Sequence, residues 1–182
     1  MADVFTLLET DHRHAEQLLE RLSSSEPGSE RETLVGKLAA SLEVHMRFEE
    51  QQVYPLLREL DQKMVREAET EHVLARDGLA KLRELVGAPG FGAAVDMLQG
   101  GVGHHVDDEE NEAFPKLRAA CDDDQLVDLA ARLIAEKRNA DVLTAELEMS
   151  TKEQLVEMAR VTGLEGHSKM SADELRAALA RM

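Results

Sequence analysis

The chain repeats itself at a spacing of sixty residues, and the repeat carries its histidines. His12, His45, Glu49, Glu50, Pro55, Leu57 and Arg58 recur as His72, His105, Glu109, Glu110, Pro115, Leu117 and Arg118. Tyr54 falls on Phe114, Leu19 on Leu79 and Leu22 on Leu82. Internal self-similarity of this kind marks a duplicated supersecondary unit. A chain that echoes a histidine-bearing segment must fold both copies alike, so the repeat restricts the architecture before any single helix is assigned.

Each copy reads as two helices. Leu7, Leu8, His12, Ala15, Leu18, Leu19 and Leu22 lie on one side of a first helix from about Asp3 to Leu22, which stops at Ser23-Ser24-Ser25-Glu26-Pro27-Gly28. Ser29 with Glu32 reads as a capping box opening a second helix, with Leu34, Leu38, Leu42, His45 and Glu49 on one face and Pro55 near its end. A third helix spans about Gln62 to Val86. A fourth runs from about Phe91 through His105 and Glu109 towards Arg118, with Pro115 near its end. Short connections imply antiparallel neighbours, hence an all-α, up-down-up-down four-helix bundle with pseudo-two-fold character. Asp122-Asp123-Asp124 caps a fifth, covering helix through Lys137, and a short apolar piece reaches Leu147. The domain boundaries read as 1–140 for bundle and covering helix and 149–182 for a small helical tail.

His45 and Glu49 stand four apart, one turn over the other on a single helical face, and His105 and Glu109 do the same. His12 and His72 sit mid-helix at matching places on the partner helices. An antiparallel bundle can bring these six side chains to one level, where unpaired polar groups are costly. Metal ions satisfy them: imidazole with carboxylate suits iron, manganese or zinc, and two carboxylates can bridge a metal pair. The expected ligands are His12, His45, Glu49, His72, His105 and Glu109. Glu50 and Glu110 are candidates for orienting the histidines or carrying protons, and Arg76 for offsetting a buried carboxylate. Gly100, Gly101 and Gly103 read as a place of close backbone approach, local unwinding or a helix break.

Asp11-His12, His45-Met46-Arg47-Phe48-Glu49-Glu50 with Tyr54-Pro55, Glu71-His72, and His105-Val106-Asp107-Asp108-Glu109-Glu110 with Phe114-Pro115 resemble the HHE cation-binding branch of the hemerythrin family, over about residues 3–120. The resemblance implies two iron ions joined by an oxo or hydroxo bridge, with Glu49 and Glu109 spanning both and the four histidines as terminal ligands. The chain departs from oxygen-carrying hemerythrins in having Arg76 where they place a second third-helix histidine. They also pair the fourth-helix histidine with an aspartate five positions on. Here His105 stands four from Glu109 and His104 stands five; the internal repeat favours His105, leaving His104 as a replacement ligand or an outer group. His14, opposite Leu74 in the repeat, reads as peripheral.

With one imidazole fewer, the resemblance points away from dioxygen carriage. It points to handling of reactive oxygen or nitrogen species, namely hydrogen peroxide disproportionation or nitric oxide chemistry, by a catalase-like or other diiron oxidoreductase. The alternative is a non-enzymatic protein that senses or binds iron or dioxygen. Small molecules are the expected partners in either case. The formal charge of -16 disfavours nucleic-acid backbones and anionic membranes. No apolar run is long enough to span a membrane, no signal-peptide pattern opens the chain, and Cys121 is alone, all of which favour the cytoplasm. Ser150–Glu153 and Ser171–Glu174 read as capping boxes of two short helices separated by an extended linker. This tail, strongest over Thr162-Gly163-Leu164-Glu165-Gly166-His167-Ser168-Lys169-Met170-Ser171, resembles the small SAP-like domain at the N-terminus of transcription termination factor Rho. Related units contact nucleic acid, but this one has neither a basic excess nor an aromatic platform. Protein docking, dimer formation or stabilisation is the expected role, with signalling or nucleic-acid contact through Lys152, His167 and Lys169 as the alternative and the oligomeric state open between monomer and dimer.

Overall fold

The computed structural model describes residues 3–182, and every regular element among them is helical. The elements are α1 (Val4–Ser23), α2 (Ser29–Phe48), a π-helical turn (Glu49–Val53), α3 (Tyr54–Arg58), α4 (Gln62–Leu85), α5 (Phe91–Asp108), a second π turn (Glu109–Ala113) and α6 (Phe114–Ala120). There follow α7 (Asp123–Asn139), α8 (Leu143–Met149), α9 (Lys152–Val161), a 3-10 turn (His167–Lys169) and α10 (Ala172–Leu179). The fold is a helical bundle with additional C-terminal helices. No helix is long and apolar enough to cross a membrane.

The chain divides into two compact units: residues 15–119, and the start up to His14 taken together with 120–182. In the first, leucines spaced three and four apart on α2 and α4 face inward, and Leu34, Leu38, Leu79, Leu82 and Val95 are buried. Each such side chain contributes about 1.5–3 kcal/mol relative to exposure. α4 and α5 approach closely at Gly78, where a Cβ would come within 3.0 Å of Leu98 Cδ1. Arg31 ties two loops at one end of this unit. Its Nε donates to Ser25 Oγ at 3.0 Å, its Nη1 to the Val86 carbonyl at 3.2 Å, and its guanidinium lies 4.2 Å above the Phe91 ring.

The two π turns follow from the two prolines. Pro55 lacks an N–H, and its ring crowds the carbonyl four residues back, so the helix ahead of it widens. The Tyr54 N–H then reaches five residues back to the Glu49 carbonyl, and Phe114, ahead of Pro115, reaches Glu109 in the same way. Helical spacing alone predicts an unbroken helix in each copy, with the proline near its end. The structure inserts a wide turn that begins at the glutamate in both copies.

Other local expectations are corrected. Ser29 does not cap α2; Gly28 stands at that place and no side chain closes the end. Gly100, Gly101 and Gly103 neither break α5 nor admit a close neighbour, for nothing lies within 4 Å of a Cβ built on any of them.

In the second unit α7 buries Leu126, Leu129, Leu133 and Ile134. Ser150 does not cap α9. Its Oγ donates to the Glu146 carbonyl at 2.8 Å and lies 3.3 Å from His14 Nε2, so Thr151 caps the helix and pairs reciprocally with Gln154. Ser171 and Glu174 form the capping box read from the sequence. The stretch between α9 and α10 is turned rather than extended, with Gly163 and Gly166 at φ +69° and +73° and the 3-10 turn after them. Arg176 joins α10 to α8, donating from Nε to the Leu147 carbonyl at 2.9 Å.

The same unit contains a buried ionic cluster. Lys137, 1 % exposed, donates to Asp11 and, at 2.7 Å, to Glu146, which are 4 % and 1 % exposed. Burial would lower the lysine pKa, but the two carboxylates outweigh it and hold it above its ordinary value. His14, read as peripheral, is fully buried beside this cluster. Burial pushes its pKa down to about 4 against the pull of Asp11, so the ring is neutral at pH 7.

Candidate metal centre

α2 and its π turn supply His45 and Glu49; α5 and the second π turn supply His105 and Glu109; α4 supplies His72. All five are buried. Glu49 Oε2 lies 3.1 Å from His45 Nε2 and 3.4 Å from His72 Nε2, and His105 Nε2 lies 3.5 Å from Glu109 Oε2. His72 Nε2 and His105 Nε2 face one another at 3.1 Å. One ligand atom each from Glu49, His72 and His105 falls within a 4.8 Å span.

The far side of each ring explains this convergence. His72 Nδ1 donates to Glu50 Oε1 at 3.0 Å, and His105 Nδ1 donates to Glu71 Oε2 at 2.9 Å. With each Nδ1 committed to a carboxylate, both rings turn their Nε2 atoms towards each other and towards Glu49. Acceptors converging on one buried point require a proton or a cation between them. Two imidazole nitrogens and carboxylate oxygens are the donors that bind divalent iron, manganese or zinc. The residues therefore fit a metal.

The electrostatics agree. Burial alone would lower the His105 pKa, but Glu109, the Glu71 hydrogen bond and Glu49 raise it to about 9. Burial would raise the Glu49 carboxyl, yet His45 and His72 hold it well below the usual carboxylate range. Both shifts have one cause, opposite charges held together out of water, and the two buried carboxylates favour a cation at the middle of the centre.

The outer groups are asymmetric. Glu50, on the first π turn, receives Arg76 Nη1 at 2.7 Å and Nη2 at 3.2 Å, while Arg76 Nε donates to Glu43 at 3.0 Å. Burial of Glu50 is outweighed by Arg76 and His72, so its carboxyl stays ionised below its ordinary range. His104 is largely exposed; its Nδ1 lies 3.1 Å from Glu71 Oε1 and 3.6 Å from Asp108 Oδ2. Glu110 lies on the second π turn, half-buried. His12 is buried on α1, in the other unit.

Two contributors were not singled out from the sequence. Tyr54, fully buried, donates from its hydroxyl to Glu109 Oε1 at 3.0 Å, lies 3.1 Å from His72 Nε2 and stacks on the His72 ring at 5.3 Å between centroids. Burial, with Glu109 and Glu49 beside it, raises its pKa well above the ordinary value, so it keeps its proton. Its partner in the repeat is Phe114, and this loss of symmetry was the signal. Glu71 was marked by position alone: an acid precedes the histidine in both Asp11-His12 and Glu71-His72.

A helical bundle holding buried histidine–glutamate pairs of this kind is a metal-binding bundle protein. The Hemerythrin HHE cation binding domain matches residues 3–117, and the chain belongs to that family. No curated protein and no solved structure matches it.

Proposed function

We propose that the chain is a non-haem diiron protein that handles reactive oxygen or nitrogen species, with hydrogen peroxide disproportionation as the leading reaction and nitric oxide chemistry beside it. The observation that carries the reading is the opposed pair His72 and His105, each fixed through Nδ1 by a carboxylate and each turning Nε2 inward onto Glu49. His45 and Glu109 complete the set within this unit. His12 is assigned as the sixth ligand by its place in the sixty-residue repeat, opposite His72. Two bound irons supply the two-electron couple that peroxide chemistry needs.

The residues around the centre supply what such a reaction asks of a protein. Tyr54 holds a proton on its hydroxyl between Glu109 and His72, at the centre itself. Glu71 and Glu50 hold the two rings in one tautomer and orientation, and Arg76 clamps Glu50. Arg76, lying where oxygen-carrying relatives place a further histidine, spends its guanidinium on Glu50 and Glu43, so no extra imidazole crowds the metals.

Anaerobic loading with ferrous ion, elemental analysis and assay of oxygen release from peroxide test this reading. Two irons per chain with rapid oxygen release support it. Failure to bind metal, or undiminished binding in the His45→Ala, Glu109→Ala double variant, defeats it. Stable binding of dioxygen without turnover would transfer the protein to the sensing class.

A further inference from the structure

A cleft of about 290 Å³ opens beside the centre between α3, α4, the end of α5 and the second π turn. Its inner end is formed by His105 and Glu109, which are only 8 % and 3 % exposed. Towards solvent its wall carries Asp61, Glu67, Glu71, Asp108 and Glu112. Two lysines oppose them: Lys63 is paired with Glu67 at 2.8 Å, and Lys116 with Asp61 at 3.2 Å. Five wall carboxylates face these two lysines, so the field in the cleft draws cations inward and turns anions away.

Glu71 faces both ways in this cleft. Its Oε2 accepts from His105 Nδ1 at 2.9 Å, while its Oε1 lies 3.1 Å from the Nδ1 of exposed His104. One ligand atom each from Glu71, His104 and Asp108 falls within 4.8 Å, a span that one ion can bridge. Imidazole and carboxylate are the same donor types as in the buried set.

We propose that this cleft is the entry route of divalent metal ions, with Glu71, His104 and Asp108 as an outer station where an ion is held before it passes to His105 and Glu109. The inference rests on the metal-centre reading above and adds the path to it. A hydrated ion exchanges water for the three outer ligands at the surface, and Glu71, already in contact with His105, is the carboxylate shared by both ends of the path. Charge on the outer wall sets how fast the ion arrives, and the buried ligands set how tightly it stays.

The test is the rate of ferrous ion uptake by the full chain under anaerobic conditions, read by quenching at intervals with the chelator ferrozine and measuring what the protein has retained. Two double variants are compared with wild type: His104→Ala with Asp108→Asn, which removes the station, and Glu67→Gln with Glu112→Gln, which weakens the field. Both pairs lie at the surface, and circular dichroism checks that each variant folds. At low ionic strength uptake falls about five- to tenfold in each, the Glu67/Glu112 difference narrows in high salt, and the final iron content equals that of wild type. Wild-type rates in both variants overturn the route alone. Lower final iron in the His104/Asp108 variant also overturns it, by making those residues ligands of the stored metal. If wild type takes up no iron, the metal-centre reading itself fails and the route with it.

Discussion

Replacing Lys137 with methionine tests how the C-terminal helices are held. The ammonium is 1 % exposed and is shared by Asp11 and Glu146, themselves 4 % and 1 % exposed, with Glu146 Oε2 at 2.7 Å. Methionine matches the length of the lysine stem but leaves two carboxylates buried together without a cation. Breaking a buried ion pair from one side costs about 3–5 kcal/mol, because the remaining charge keeps its desolvation penalty. That is a large share of the ~5–15 kcal/mol by which a domain of ordinary stability folds. Urea unfolding followed by circular dichroism at pH 7 and pH 5 measures it. The variant should be about 3–5 kcal/mol less stable at pH 7. Part of the loss should return at pH 5, as the orphaned carboxylates, raised by burial and mutual repulsion, take up protons. Adding Asp11→Asn and Glu146→Gln should restore stability at pH 7 by removing the charges altogether. At the alkaline end the sign reverses. The folded-state pKa of Lys137 lies above its ordinary 10.5, so its contribution is complete below 10.5 and is lost as pH rises through the raised value. A loss under ~1 kcal/mol at pH 7, the size expected of an exposed pair, would refute the reasoning.

Three further outcomes follow from the same geometry. Tyr54→Phe keeps the stack on His72 but removes the proton between His72 and Glu109, so iron content should hold while oxygen release from peroxide slows by ~100-fold; an unchanged rate removes Tyr54 from the chemistry. Glu71→Gln weakens the hold on His105 Nδ1, and calorimetric titration should show metal affinity lowered by ~10–100-fold with the number of sites unchanged. Gly100→Ala and Gly101→Ala should each stabilise the fold by ~0.5–1 kcal/mol in thermal melts, since both sit in regular helix with open space at the Cβ. Destabilisation would instead reveal a neighbour that packs against the bare backbone.

The all-helical fold and the inward-facing histidines were legible because both are written in periodicity: leucines at three and four along α2 and α4, histidine four before glutamate, and all of it doubled at sixty. What escaped depends on distance or on choices between equal local options. Lys137 meets Asp11 across most of the chain, and a single lysine on an amphipathic helix looks like any solvated one. Ser150–Glu153 and Thr151–Gln154 are equally good capping sequences. The decision for Thr151 was made by burial of Ser150 against Glu146 and His14. Tyr54 sat in the matched segment, but its role arises only where a hydroxyl from α3 meets a carboxylate from the other hairpin. Glu71 reads as a surface acid until His105 is placed beside it.

The π turns make the prolines into rulers. A residue added to or removed from a helix rotates everything beyond it by about 100°. Each wide turn absorbs one such residue between the buried glutamate and the proline that follows it. Removal of a single residue from Glu50–Val53 would close the turn to ordinary α-helix with Tyr54 still on its present side, whereas the same removal from a regular stretch of α2 would turn Tyr54 away from Glu109. In each copy, then, the wide turn takes up the extra residue and holds the rotation of the helix beyond the glutamate. The two copies keep the same count, so Tyr54 and Phe114 occupy equivalent stations and differ only by the hydroxyl.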